Sequence, residues 1–139
     1  MSQHYIELRA INPKDGREFT VKVSNKRMEQ VASRGKGQIL EMAHVLPEVL
    51  MQPKAIFKGL RRDEEESPDY RSLGWLCYVG RPSKAYSESG YPKEPWPGQV
   101  YLAFLNDDKV VYNWAWTKAD TYNPDLPEGY EERFKGRIL

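Results

Sequence analysis

The chain has 139 residues, with 21 Lys and Arg against 20 Asp and Glu, and a single cysteine. That length suffices for one domain with its own core. The near-balanced charge excludes a global electrostatic attraction to nucleic acid or membrane, and a lone Cys77 excludes an internal disulfide or a multi-cysteine metal site.

The start MSQHYIELRA lacks a cationic stretch followed by an apolar one, and no apolar run approaches the roughly 20 residues that a membrane span needs. A cytoplasmic protein without membrane contact is expected. No repeat or linker divides the sequence, so residues 1–139 read as a single domain. Its parts are an N-terminal hairpin over 4–23, a core over about 38–117 and a tail over 118–139.

His4–Arg9 and Phe19–Val23 alternate in the manner of strands, and Asn12-Pro13-Lys14-Asp15-Gly16 between them is a turn cluster. Ser24-Asn25 offers helix caps for Lys26–Ser33. A second helical stretch runs from about Gln38, with Ile39, Met42, Ala43 and Leu46 on one face. Pro47 is expected to begin a new turn, because it has no N–H to donate, and Pro53 closes the unit.

From Ala55 the chain reads as extended through Arg62, followed by the acidic run Asp63-Glu64-Glu65-Glu66 as a solvated loop. Gly74–Gly80 (GWLCYVG) is a buried strand in which Cys77 serves as a small apolar group. Residues 81–98 are dense in Pro, Ser, Gly and Tyr. A loop longer than about 12–15 residues tends to be functional or disordered, and Tyr86, Tyr91 and Trp96 argue against disorder.

Gln99–Leu105 and Val110–Thr117 flank NDDK as a hairpin. In the second strand, VVYNWAWT, an uninterrupted alternation puts Val110, Tyr112, Trp114 and Trp116 on one face. The matching face of its partner is then Val100, Leu102 and Phe104, and both would pack on the helix around Ile39–Leu46. In the tail, Glu131–Lys135 is expected to form a short helix that lays Tyr130, Phe134, Ile138 and Leu139 on the sheet. The fold class is therefore α+β: an antiparallel meander packed on one or two helices, with an N-terminal hairpin.

Few residues carry candidate chemistry. His44, in EMAHVLP, lies at the boundary of the apolar helix face, as a general base or as a histidine bonded to backbone. Lys58, Arg61 and Arg62 form either an anion site or a salt-bridge network with the acids that follow. In the long loop Tyr86, Tyr91 and Trp96 interleave with Arg81, Lys84 and Lys93. That composition suits stacking of single-stranded nucleic acid and equally suits a loop tethered by its own aromatics. There is no GxxxxGK[ST], GxGxxG or GxSxG, no calcium-loop alternation and no zinc-spaced histidine pair. Neither a cofactor nor a metal is expected.

The stretch ILEMAHVLPEVLMQPKAIFKGLR, then GWLCYVG, then QVYLAFLNDDKVVYNWAWT reads as a helix followed by a four-stranded meander. This order resembles the barnase, EndoU, colicin and RelE-like group of nuclease folds, which includes toxin-associated members. The resemblance covers residues 38–117 and implies metal-independent RNA cleavage by acid–base catalysis on the open sheet face. The last two strands carry no His, Lys, Arg, Glu or Asp in their bodies. The implied catalytic set is therefore His44, Lys58, Arg61, Arg62 and a tyrosine, Tyr78 or Tyr101.

Three functions follow as expectations. The first is an RNA-cleaving or RNA-binding domain of a toxin or mobile-element system. The second is a non-catalytic module for a cognate protein partner. The third is a small-ligand domain with an aromatic-lined pocket near Tyr112, Trp114 and Trp116.

Overall fold

The computed structural model describes residues 6–58, 76–106, 109–133 and 137–139. The turn cluster at Asn12–Gly16 behaves as its residues dictate. Asn12 Oδ1 accepts from Lys14 N and Asp15 Oδ1 from Arg17 N, each at 2.9 Å, and Gly16 takes the positive φ of 72° that closes the turn. The hairpin so formed joins β1 (Glu7–Ile11) to β2 (Glu18–Val23), paired from Glu7↔Lys22 to Ile11↔Glu18. The first strand thus reaches two residues further than its alternation suggests. His4 lies outside the described residues.

Ser24 caps α1 (Asn25–Ala32), its Oγ accepting from Arg27 N at 3.3 Å. A continuous helical run follows: α2 (Lys36–Leu40), a π-helical turn (Glu41–Val45) and α3 (Leu46–Met51). Pro47 stands in the first turn of α3, as its missing donor requires. The wider π turn precedes it, where the proline ring would otherwise meet the carbonyl of Ala43. That turn also changes the buried face. Met42, Val45, Leu46, Val49 and Leu50 point into the core, whereas Ala43 and Ile39, expected inside, are exposed. A constant helical period cannot anticipate one turn of a different pitch.

The strands β3 (Ala55–Lys58), β4 (Leu76–Gly80), β7 (Gln99–Leu105) and β8 (Val110–Lys118) form the expected antiparallel meander. Two short strands, β5 (Ala85–Tyr86) and β6 (Pro92–Lys93), pair separately within the long loop. The main sheet has the order β1-β2-β8-β7-β4-β3 and is mixed rather than antiparallel throughout. β2 lies parallel to β8 through Lys22↔Val110 and Val23↔Val111. Because β2 leads into a helix and not into a hairpin turn, no short connection obliges its neighbour to run the other way. Gly59 through Trp75, including the acidic run, lie outside the described residues.

β7 is buried on both faces, and each face belongs to a different core. Tyr101, Ala103 and Leu105 join Trp114, Val111 and the helical residues Met42, Val45, Leu46 and Leu50. Val100 and Leu102 join Ala55, Phe57, Cys77, Val79, Ala119 and Leu126, with Tyr130 packed alongside. This corrects the expected stripe. A β-bulge makes Phe104 pair with Asn113 while Leu105 pairs with Val111, so Tyr112 is the extra residue. Val111, Trp114 and Trp116 face the helices, Tyr112 turns to the ring of Phe104 at 6.3 Å, and Val100 and Leu102 lie on the side away from the helices.

The short helix α4 (Tyr130–Arg133) sits close to where the tail pattern suggests it. Ile138 and Leu139 do not lie on the sheet face as expected. Their backbone runs along β3, where Ile138 N donates to Ile56 O at 2.9 Å and Ile56 N to Leu139 O at 3.2 Å. Backbone pairing at an open strand edge has won over face packing there. Phe134 and Lys135 lie outside the described residues.

Candidate functional site

Residues 81–98 are fastened to the helical layer at both ends of α2–α3. Glu48 on α3 accepts from Ser83 N at 3.0 Å and from Ser83 Oγ at 3.0 Å. Gly37 N on α2 donates to Glu88 O at 3.1 Å. The two chains touch so closely there that a Cβ at Gly37 would stand 2.0 Å from Ser87 O. Within the loop Ser87 N donates to Tyr91 O at 2.9 Å and Ser87 Oγ accepts from Tyr91 N at 3.1 Å, around Gly90 with a φ of 93°. These bonds give the β5–β6 ribbon one position over the sheet.

The ribbon closes one side of a groove of about 240 Å³ lined by Glu41, Tyr86, Lys93, Trp96, Gln99 and Trp116. Glu41 enters from the π-helical turn and Trp116 from β8. Trp116 Nε1 donates to Glu41 Oε2 at 2.9 Å, and no other hydrogen bond to this carboxylate forms among the described residues. Burial raises the pKa of Glu41 above the usual carboxylate value, against the opposing pull of the Trp116 N–H and the Lys93 charge. Lys93 holds its ammonium 5.9 Å from the centre of the Trp96 ring.

Trp96, which is 64 % exposed, also borders a second lobe of about 310 Å³, together with Lys54, Arg81 and Asp125. Arg81 Nη1 lies 3.5 Å from Asp125 Oδ1, so the cation there already faces an acid. Each lobe therefore pairs a positive with a negative side chain.

Beneath the groove, Tyr101 meets Trp116 edge-on with ring centres 5.0 Å apart. Its hydroxyl is buried and has no hydrogen-bond partner among the described residues. Burial, and secondarily the Glu41 charge, push its pKa well above the ordinary phenol value. Arg27 lies behind it, with Nη2 donating to Trp114 O at 3.2 Å and the guanidinium 5.0 Å from the Trp114 ring centre. Partial burial, followed by repulsion from Arg34, lowers the Arg27 pKa.

Among the described residues, Lys58 and Tyr101 of the expected catalytic set stand at different levels of the sheet. His44 is exposed on the π-helical turn, its ring 6.0 Å from that of Tyr86. Lys58 aligns with Leu76 and through it with Leu105, whereas Tyr101 aligns with Gly80 at the other end of β7. At the usual rise per residue these levels are about 14 Å apart along the strand. The Tyr78 hydroxyl is committed to Ile11 O at 2.6 Å. Arg61 and Arg62 lie outside the described residues.

The expected loop set fares differently. Arg81, Tyr86 and Trp96 line the two lobes, while Lys84 is exposed and Tyr91, 72 % exposed, lies away from both. Of the three aromatics expected around a pocket on β8, Trp116 lines the groove, Trp114 is in the core, and Tyr112 is on the opposite face.

Glu41 is the residue that sequence reasoning missed. Its signal is a carboxylate set within the apolar stretch Ile39–Ala43, directly between Leu40 and Met42. Among the described residues no three His, Cys, Asp or Glu side chains come close enough to hold a metal, and no helix is long and apolar enough to cross a membrane.

No protein-family model, curated protein or solved structure matches this chain.

Proposed function

We propose that this chain is a ligand-binding domain whose site is the aromatic groove between the β5–β6 ribbon and β8. The observation that carries this reading is Glu41. A carboxylate drawn half out of water costs free energy unless it is paired. Here one oxygen is held by an indole N–H inside a concave wall of aromatic rings. A few polar groups converging in a ring-lined recess is the usual composition of a small-molecule site. Supporting binding over RNA cleavage, the Tyr101 hydroxyl is sealed in the core and Lys58 stands at another level of the sheet.

A second reading, binding of single-stranded RNA, is favoured by the exposed rings of Trp96 and Tyr91 on a loop that also carries Arg81, Lys84 and Lys93. Glu48, Glu88, Glu94 and Asp125 stand among those cations and weaken any pull on a polyanion.

The test is a titration of ¹⁵N-labelled protein, following the indole N–H signals of Trp96, Trp114 and Trp116. A small ligand of the groove shifts Trp96 and Trp116 and leaves Trp114 in place. RNA binding would instead appear as an affinity for an oligonucleotide that falls about tenfold or more between roughly 50 and 200 mM salt. A ligand library and an oligonucleotide that both leave the indole signals unmoved would remove both readings.

A further inference from the structure

We propose that the groove selects an organic cation, an alkylated ammonium group placed among Tyr86, Trp96 and Trp116 and facing Glu41. The inference rests on the groove being the ligand site and adds the class of ligand that it takes.

Three observations lead there. Beside Lys93 and Gln99, the wall holds three aromatic rings and a single carboxylate, a combination that attracts a cation through ring quadrupoles and a full negative charge together. An anion would meet Glu41 at close range in a partly dry recess and be repelled. The protein also already places a cation there, since the Lys93 ammonium lies 5.9 Å from the Trp96 ring centre and its charge acts on Glu41.

The degree of alkylation follows from hydration. A bare ammonium is a compact, strongly hydrated charge. Methyl groups lower that cost and give Ala85 and Pro95, the apolar parts of the wall, something to pack against. The volume, about 240 Å³, lies below the roughly 300–1,000 Å³ of sites for drug-sized ligands, which suits a head group. Lys93 is exposed on the short β6 strand, free of any tight packing that would prevent its displacement. It is thus a built-in competitor: the incoming cation takes the place of its ammonium, and removing that charge should strengthen binding.

The experiment uses the full chain and two probes of one shape, choline and its neutral carbon analogue 3,3-dimethyl-1-butanol. A short peptide bearing trimethyllysine is a third arm that separates a free cation from a side chain. Choline or the peptide should shift the Trp96 and Trp116 indole signals with an affinity about tenfold or more above that of the neutral analogue. Glu41→Gln should abolish that preference, and Lys93→Gln should tighten the cation several-fold. An unchanged Trp114 signal certifies that each variant is folded. Equal binding of choline and the alcohol, unaffected by Glu41→Gln, overturns the cation assignment and leaves the groove standing as a site. Silence of Trp96 and Trp116 towards every probe overturns this assignment, and a parallel silence towards the wider library overturns the groove as well.

Discussion

Oε2 of Glu41 accepts the indole N–H of Trp116 at 2.9 Å, tying a π-helical turn to a strand 75 positions later in the chain. This bond sets the floor of the groove, because it fixes both the carboxylate and the ring that faces it. It also holds a charge where the fold alone would prefer none.

The first prediction concerns that charge. The pKa of Glu41 is higher in the fold than in the unfolded chain, through burial. Its protonation therefore favours the native state: the stabilising contribution is full below the unfolded pKa and is lost as pH rises through the folded one. Glu41→Gln keeps an acceptor for the Trp116 N–H without the charge. The variant should melt higher than the natural chain at neutral pH, with the difference shrinking as pH falls through the carboxylate range. Paired thermal melts across pH would check this, and a gap that stays constant with pH would refute it. Sites kept for function commonly carry such a cost in stability.

Gly37 offers a test of how the ribbon is held. In a helix, Gly→Ala ordinarily adds about 1 kcal/mol of stability. Here the new methyl would stand 2.0 Å from Ser87 O and 2.9 Å from its carbonyl carbon. Gly37→Ala should therefore destabilise, by about 1–3 kcal/mol as overpacking does. Denaturant unfolding would read the sign. Faster amide exchange at position 37 and at Tyr91, whose N–H groups donate to Glu88 O and Ser87 Oγ, would place the damage at the ribbon.

Two buried tyrosines should respond in opposite ways to loss of their hydroxyls. Tyr101→Phe removes a buried polar group that has no partner among the described residues, so stability should stay level or rise by about 1 kcal/mol. Tyr78→Phe removes a 2.6 Å bond to Ile11 O and should cost about 1 kcal/mol. Urea midpoints of both variants decide the matter. A large loss in Tyr101→Phe would mean that its hydroxyl has a partner after all.

Trp96→Ala should separate site from scaffold. The ring is largely exposed and stands between the two lobes, so its removal should change stability by no more than about 0.5 kcal/mol. Binding of any groove ligand should fall by about tenfold. Loss of binding together with a collapse of the melting temperature would show Trp96 to be structural.

Local signals carried most of the architecture. The Asn12–Gly16 cluster, the Ser24 cap, the initiating Pro47 and the meander from Ala55 to Thr117 each follow from a few neighbouring residues, and each is present. Features set by distant partners were not readable. The parallel contact of β2 with β8 joins Val23 to Val111, and neither segment announces the other. The π-helical turn and the bulge at Tyr112 each insert one residue into a regular period, and a periodic reading passes over both. The groove was half visible for the same reason. Tyr86, Trp96 and Arg81 stood out in an unusual loop, but Glu41 acquires its meaning only when β8 brings Trp116 against it.

The bulge also sets what β8 can lose. Val111 and Trp114 are three residues apart, an odd interval that a regular strand would send to opposite sides, yet both point inward. Tyr112 absorbs the mismatch. Deleting Tyr112 would leave a regular ladder in which every remaining side chain keeps its address. Deleting Trp114 or Ala115 would instead shift Trp116 to the outward address of Ala115 and turn its indole toward water. The strand can therefore shorten by one residue at the bulge, at Tyr112 or at Asn113, and still keep both indoles on their own side.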